Sequence, residues 1–172
     1  MVEPAGAATG ASTAEQFNNA GCRFADAQQY EKAIEQFKLA LGLNPQLVEA
    51  QTNLGIVYGW SGRFAEAVAP LAEAVRLNPS NAKAHFNLGR VYYHAGQIAE
   101  AIKSLKQAVA LQPDFDRAHS QLGAIYDQAG RRKEALAHLL EAVRLNPTNT
   151  VALNNLGVAQ TNSKQYEAAE TS

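Results

Sequence analysis

The stretch LGIVYGWSGRFAEAVAPLAEAVRLNP, residues 54–79, contains two helical patterns separated by a glycine. The first pattern predicts a helix from Glu49 to Trp60 that stops at Gly62, because glycine readily adopts the left-handed conformation that closes helices. The second pattern has apolar residues at three- and four-residue steps and predicts a helix over 64–77. This helix ends there because Pro79 biases the preceding residue away from helical dihedral angles. The stretch therefore predicts a helix–turn–helix unit.

This unit recurs along the chain with a period of 34 residues. Three residue types keep that spacing independently: prolines at Pro45, Pro79, Pro113 and Pro147, glycines at Gly21, Gly55, Gly89, Gly123 and Gly157, and alanines at Ala33, Ala67, Ala101, Ala135 and Ala169. One helix pair of this size cannot bury its apolar faces alone, so each pair must pack against its neighbours. The period predicts an all-α array of stacked helix pairs with no β-strand.

Small residues at fixed positions of each unit indicate where its two helices meet. Gly55 in the first helix and Ala67 in the second allow the two backbones to approach closely. A larger side chain there would overpack the contact, at a cost of about 1–3 kcal/mol. Pro70 interrupts the second helix of the same unit and is expected to bend it mildly without breaking it.

Polar residues indicate where several helices begin. Asn81 and Asn149 are placed to cap the first helices of their units, because an asparagine side chain accepts a hydrogen bond from the first helical turn. Thr13 with Gln16 reads as a capping box that opens the first helix of the chain.

The composition of the 172-residue chain argues against several functions. The net charge is −1, with 15 basic and 16 acidic residues, so the basic excess of a nucleic-acid-binding protein is missing. Cys22 is the only cysteine, and the four histidines lack the short spacings of a metal-binding helix. The chain has no nucleophile motif and no phosphate-binding glycine loop. We therefore expect no metal or other cofactor, no nucleic-acid partner and no enzymatic activity.

The N-terminal sequence and the hydropathy pattern favour a cytoplasmic protein. The stretch MVEPAGAATGAST lacks the basic and apolar segments of a signal peptide. No segment approaches the ~18 apolar residues that a membrane-spanning helix requires. We therefore expect a soluble, cytoplasmic protein without membrane insertion.

The repeating motif resembles the tetratricopeptide repeat, in which L-G-x-x-Y, A-x-x-x-[FL]-x-x-A and a closing proline recur every 34 residues. The resemblance implies a right-handed superhelical solenoid of antiparallel helix pairs over 13–172, preceded by a flexible segment over 1–12. The units span about 14–47, 48–81, 82–115 and 116–149, with a truncated fifth unit over 150–172. That last unit has Gln160 in place of the tyrosine, and its second helix, starting near QYEAAETS, is too short to cover its first.

The same resemblance implies that the first helix of each unit lines a concave groove. One position of that face carries a side-chain amide in every unit: Asn19, Asn53, Asn87, Gln121 and Asn155. Amides can bind the main chain of an extended peptide, since each offers both donors and an acceptor. The row resembles the asparagine ladders of the arrays in O-linked N-acetylglucosamine transferase and kinesin light chain. An equally open alternative is that each amide only bonds a neighbouring helix or water.

The middle of this face adds charge and aromatic rings. Lys83, Arg90 and Arg117 are candidate partners for acidic groups, and Phe86, Tyr93 and Trp60 are candidate apolar anchors. An alternative for Phe86 is packing against the adjacent helix. The two-carboxylate clamp of chaperone-binding tetratricopeptide domains is incomplete, because Asn18, Cys22 and Asn87 replace three of its residues, so binding of a chaperone tail is disfavoured.

These observations predict a non-catalytic scaffold that binds an extended peptide segment of a partner protein, with acidic segments as candidate ligands. Two alternatives stay open. The array could be the substrate-docking arm of a longer enzyme such as a glycosyltransferase, or an assembly protein that self-associates through its open C-terminal end.

Overall fold

The computed structural model describes residues 6–170, with side chains described over 13–162. This part of the chain contains nine α-helices and no β-strand: α1 Gly6–Asp26, α2 Tyr30–Leu43, α3 Val48–Trp60, α4 Phe64–Leu77, α5 Ala82–His94, α6 Ile98–Leu111, α7 Asp116–Gln128, α8 Arg132–Leu145 and α9 Thr150–Glu170. The helices form four pairs, α1–α2 to α7–α8, followed by α9. The predicted all-α array of helix pairs is confirmed, and the α4 bounds match the prediction.

The turn inside each pair has the same hydrogen-bond pattern in all four pairs. In the second pair the Arg63 N–H donates to the Tyr58 carbonyl at 2.8 Å, which is the closing bond of a Schellman motif. The turn needs a left-handed residue, and Gly62, Gly96 and Gly130 supply it with φ values of 78°, 77° and 71°. Gln28 adopts the same conformation in the first pair, with φ 58°. The predicted role of Gly62 is confirmed.

In each of the four helix pairs, the glycine of the first helix faces a large apolar residue of the second helix. A Cβ added to Gly89 would lie 2.7 Å from Leu105 Cγ and 3.1 Å from the Ala101 carbonyl oxygen. Leu105 and Ala101 are fully buried. The close approach predicted from the glycine and alanine repeats is therefore present, and the leucine fills the space that the glycine leaves.

The first helices of the second, third and fourth pairs each bond back to the loop that precedes them. Gln51 Nε2 donates to the Pro45 carbonyl at 3.1 Å, and His85 and His119 Nε2 lie 3.0 and 3.1 Å from the carbonyls of Pro79 and Pro113. These three residues share one position of the repeat. Each bond ties the start of a first helix to the loop that enters it.

Two of the predicted caps are confirmed. Asn81 Oδ1 accepts from the Ala84 N–H, and Asn149 Oδ1 accepts from the Ala152 N–H, each at 3.1 Å. The capping box at Thr13 is wrong, because α1 begins at Gly6 and Thr13 lies inside it. Residues 6–12, expected in a flexible segment, belong to this helix, and residues 1–5 lie outside the described part of the chain.

The last unit also differs from the prediction. We expected a short second helix starting near QYEAAETS, but α9 runs without interruption from Thr150 to Glu170. Lys164 stands at the position held by Gly62, Gly96 and Gly130, so the residue that favours a left-handed stop is missing.

Pro70 lies inside α4 without ending it, as expected.

Candidate functional site

The predicted amide row lies on the first helices, which are α1, α3, α5, α7 and α9. Asn19 is exposed, whereas Asn53, Asn87, Gln121 and Asn155 are half-buried. The constant 34-residue spacing places these residues at equivalent positions of successive first helices. We call this set the amide row.

One member of the amide row is occupied by bonds within the protein. Asn53 Nδ2 donates to Asn18 Oδ1 at 3.1 Å and lies 3.4 Å from Cys22 Sγ. Asn18 is buried, so this bond ties α3 to α1. Burial, and secondly the Asp26 carboxylate, raises the pKa of the Cys22 thiol. For Asn53, the structure thus shows the alternative to peptide binding, which is a bond to a neighbouring helix.

The amides further along the row have free hydrogen-bonding capacity. Among the described side chains, those of Asn87, Gln121 and Asn155 make no hydrogen bond to another residue. A half-buried amide with open donors and acceptor can bind a peptide main chain, because such a chain presents N–H and C=O groups in alternation.

Two arginines converge on one buried aromatic ring beside this row. The guanidinium carbons of Arg90 and Arg117 lie 6.0 and 5.1 Å from the centroid of the Phe86 ring. Burial, and secondly the proximity of Arg117, lowers the pKa of the Arg90 guanidinium. Within the described part of the chain neither arginine has a carboxylate partner, whereas Arg63, Arg76, Arg131 and Arg144 each have one. The pair is therefore a concentrated, unneutralised positive charge.

Phe86 does not have the exposure that a ligand anchor needs. It is 4% exposed, and its ring packs against Phe115 with centroids 4.9 Å apart. The alternative of packing against an adjacent element is thus the observed arrangement. The guanidinium groups of Arg90 and Arg117 lie over the face of this ring, in cation–π contacts.

The remaining predicted residues have separate surroundings. Lys83 is exposed near the start of α5. The Tyr93 hydroxyl donates to Gln128 Oε1 at 2.9 Å, which ties α5 to α7. Trp60 is 51% exposed, with its ring centroid 6.3 Å from that of Tyr30.

A bond similar to that of Tyr93 links the last two first helices. Asn162 Nδ2 donates to Asp127 Oδ2 at 2.8 Å and ties α9 to α7.

Sequence reasoning missed the contact between two histidines of the fourth pair. His119 Nδ1 lies 2.9 Å from His138 Nδ1, and the His138 ring stacks on Tyr126. The spacing of Gln51, His85 and His119, each six residues after a loop proline, was a signal that could have placed His119 at the helix–loop contact. Nothing in the sequence pattern pairs it with His138.

Within the described residues, no group of three or more histidine, cysteine, aspartate or glutamate side chains could hold a metal ion. None of the described helices combines the length and apolar character that crossing a membrane requires.

The stacked helix pairs and the polar face of their first helices define a helical-repeat array. Models of the tetratricopeptide repeat match residues 21–59, 52–114, 92–144 and 138–171. The chain belongs to the tetratricopeptide-repeat family. No curated protein sequence matches it.

Solved structures of tetratricopeptide-repeat proteins share this fold. The MamA protein superposes with a TM-score of 0.82 at 24% identity, over 92% of this chain and 87% of that one. YrrB, a TPR protein described as having an unusual peptide-binding site, gives 0.73 at 24% identity, over 86% and 76% of the two chains. A mutant of the O-GlcNAc transferase of Thermobaculum terrenum gives 0.72 at 27% identity, over 84% of this chain but 27% of the transferase.

Proposed function

We propose that this protein is a non-catalytic scaffold that binds an extended, acidic peptide segment of a partner protein along its first helices. The ligand lies in the concave groove that the family resemblance implies, and its acidic group binds between Arg90 and Arg117. The observation that carries this proposal is the pair of arginines, neither of which has a carboxylate partner among the described residues.

The arginine pair is unfavourable for the protein by itself. Arg90 is half-buried, and both burial and the second positive charge disfavour its charged form. A carboxylate placed between the two groups would remove the repulsion and form charge-assisted hydrogen bonds, which are the strong ones in proteins. The arrangement is therefore complementary to an anionic ligand.

The amide row would hold the main chain of the same ligand. Asn87 lies on α5 with Arg90, and Gln121 lies on α7 with Arg117, so amides and charges share the same two helices. Asn87 and Gln121 would contribute a net ~1 kcal/mol for each hydrogen bond, and each arginine about 1.5–3 kcal/mol. Micromolar binding requires about 8 kcal/mol, so both sets of contacts are needed.

The YrrB description supports a peptide as the ligand class, because a protein of the same fold is described as binding one. A cytoplasmic location and the absence of a nucleic-acid partner remain predictions from the sequence.

The proposal is tested by fluorescence-anisotropy titration with labelled acidic and neutral peptides of equal length. Arg90→Gln and Arg117→Gln should each weaken binding of the acidic peptide about tenfold. That loss should shrink as salt rises, since ions screen charge interactions. Arg76→Gln is the matched control, because Arg76 is exposed and paired with Glu73.

Equal binding of acidic and neutral peptides, or equal effects of Arg76→Gln and Arg90→Gln, would remove the arginine pair as the acidic subsite. Asn87→Ala should weaken both peptides alike, by about 1 kcal/mol, because its bonds are to the main chain.

A second candidate function is substrate docking within a longer enzyme. The observation that favours it is the match to an O-GlcNAc transferase, of which the chain covers 27%. The full gene sequence distinguishes it from the scaffold function.

A third candidate is self-association through α9, where Val151, Leu153 and Val158 are 62%, 44% and 49% exposed. Light scattering over a range of protein concentrations measures it, and a monomeric mass throughout would reject it.

A further inference from the structure

A cavity of about 370 Å³ opens beside α5, on the side opposite Asn87 and Arg90. It is lined by residues of α4, α5 and α6, among them His85, Tyr92, Glu100 and Ser104. It is therefore separate from the amide row and from the arginine pair.

In the fourth helix pair the corresponding position holds an imidazole ring. Ser104 and His138 are each the seventh residue of a 14-residue helix, α6 and α8. The His138 ring stacks on Tyr126, with centroids 5.6 Å apart and an interplanar angle of 26°. Tyr126 is the repeat counterpart of Tyr92. In the third pair the short Ser104 leaves the space beside Tyr92 without a ring.

The hydrogen bond that holds the His138 ring has a defined direction. His119 Nε2 lies 3.1 Å from the Pro113 carbonyl oxygen, which only accepts, so Nε2 carries the proton. In the neutral ring Nδ1 is then an acceptor, and His138 Nδ1 donates to it at 2.9 Å. His85 makes the same carbonyl contact, to Pro79 at 3.0 Å. Its Nδ1 is thus an acceptor without a partner among the described residues.

Among the described residues, no cation lies over the Tyr92 ring as one does over its counterparts Tyr58 and Tyr126. Arg63 lies 4.7 Å from the Tyr58 centroid and Arg131 lies 4.4 Å from the Tyr126 centroid, but the residue at this position in the third pair is Gln97. Glu100 consequently lacks the arginine partner that Glu66 and Glu134 have, within the part of the chain that the structure describes.

We propose that this cavity binds the imidazole ring of a histidine side chain presented by a partner protein. The ring stacks on Tyr92 and donates its N–H to His85 Nδ1, as His138 does with Tyr126 and His119 in the next pair. Lys103 and Glu100 bring one positive and one negative charge to the lining, so the site suits the neutral ring. The proposal does not depend on peptide binding to the arginine pair.

The test is an NMR titration at about pH 8, which lies well above the ordinary histidine pKa near 6.5, so that the rings are mostly neutral. The probes are N-acetylhistidine N-methylamide, free imidazole and 1-methylimidazole. Because the ring is small, we expect dissociation constants on the order of millimolar. The histidine derivative and imidazole should shift the Tyr92 ring signals but not those of Tyr126. The methylated ring, which has no N–H in its neutral form, should bind several-fold more weakly.

Two variants make the test specific. Ser104→His places a ring of the protein itself in the cavity and should weaken binding about tenfold or more, whereas the control Ser104→Ala should bind like the wild type. Unchanged binding to a folded Ser104→His variant would overturn the proposal, as would an absence of shifts with the histidine derivative. Binding of free imidazole alone would reject a partner histidine as the occupant.

If Ser104→His fails to fold, His85→Leu decides the outcome. Leucine occupies the same repeat position in α9, as Leu153, and circular dichroism checks that the variant is folded. Loss of the acceptor should weaken binding of the histidine derivative about fivefold to tenfold. Binding equal to that of the wild type would contradict the assigned hydrogen bond.

Discussion

Replacing Gly89 with alanine should destabilise the array, although alanine is the better helix former. The added Cβ would lie 2.7 Å from Leu105 Cγ and 3.1 Å from the Ala101 carbonyl oxygen. Carbon atoms in contact are ordinarily about 3.5–4.0 Å apart, so Leu105 or α6 must move by about 1 Å. Such overpacking typically costs about 1–3 kcal/mol, and the higher helix propensity of alanine offsets about 1 kcal/mol of that cost. We expect a net destabilisation of about 1 kcal/mol.

Gly157→Ala is the matched control. This glycine also lies inside a helix, α9, but a Cβ there would meet no described atom within 4 Å. The same substitution should therefore stabilise the protein by up to about 1 kcal/mol.

Urea unfolding followed by circular dichroism measures both effects, and the two midpoints should move in opposite directions. With m values of about 1–3 kcal/mol/M, each shift should be several tenths of a molar or more. If both alanine variants stabilise the protein equally, the close contact between Gly89 and Leu105 does not contribute as described. Gly89→Leu should exceed Gly89→Ala in its destabilisation.

Three further results are expected. Gln28→Gly should stabilise the protein by about 1 kcal/mol in thermal unfolding, because Gln28 occupies a left-handed conformation that the other turns give to glycine; a decrease would contradict this. Burial, followed by His119 and Lys106, lowers the pKa of His138, so the folded state disfavours its protonation and stability should fall as pH drops below about 6.5. His138→Ser should lose less stability between about pH 8 and pH 5 than the wild type, and equal losses would reject that cause. The raised pKa of the Cys22 thiol predicts slow reaction with a disulfide reagent near pH 8, and a rate equal to that of free cysteine would contradict it.

The repeat made the fold predictable from the sequence. Glycine, alanine and proline have narrow roles at a helix contact, a left-handed turn and a helix end, so their common period indicated both helices of each unit. The same logic failed where the chain lacks those residues. Lys164 replaces the turn glycine, and α9 continues through the expected turn. In the first pair Gln28 replaces the same glycine, yet the turn forms. A single residue type therefore did not decide these ends.

The candidate site was less predictable, because helical periodicity gives the direction of a side chain but not its partners. Phe86 and Arg90 were both assigned to the groove face, yet the ring is buried beneath the guanidinium groups. Asn53 and Asn87 share one repeat position, but Asn53 bonds to Asn18, whereas Asn87 has no hydrogen-bonding side chain beside it among the described residues. Such differences depend on residues of another helix, so the periodicity of a single helix cannot predict them.

The direct test of the proposed function is isothermal titration of an acidic extended peptide into the wild type and into a variant combining Asn87→Ala, Arg90→Gln and Arg117→Gln. The three changes remove one main-chain contact and the whole acidic subsite, so affinity should fall at least about a hundredfold. Circular dichroism should show the variant folded with an unchanged or higher melting temperature, because the repulsion between the arginines is gone. Retention of wild-type affinity by the folded variant would show that the ligand binds elsewhere on the protein.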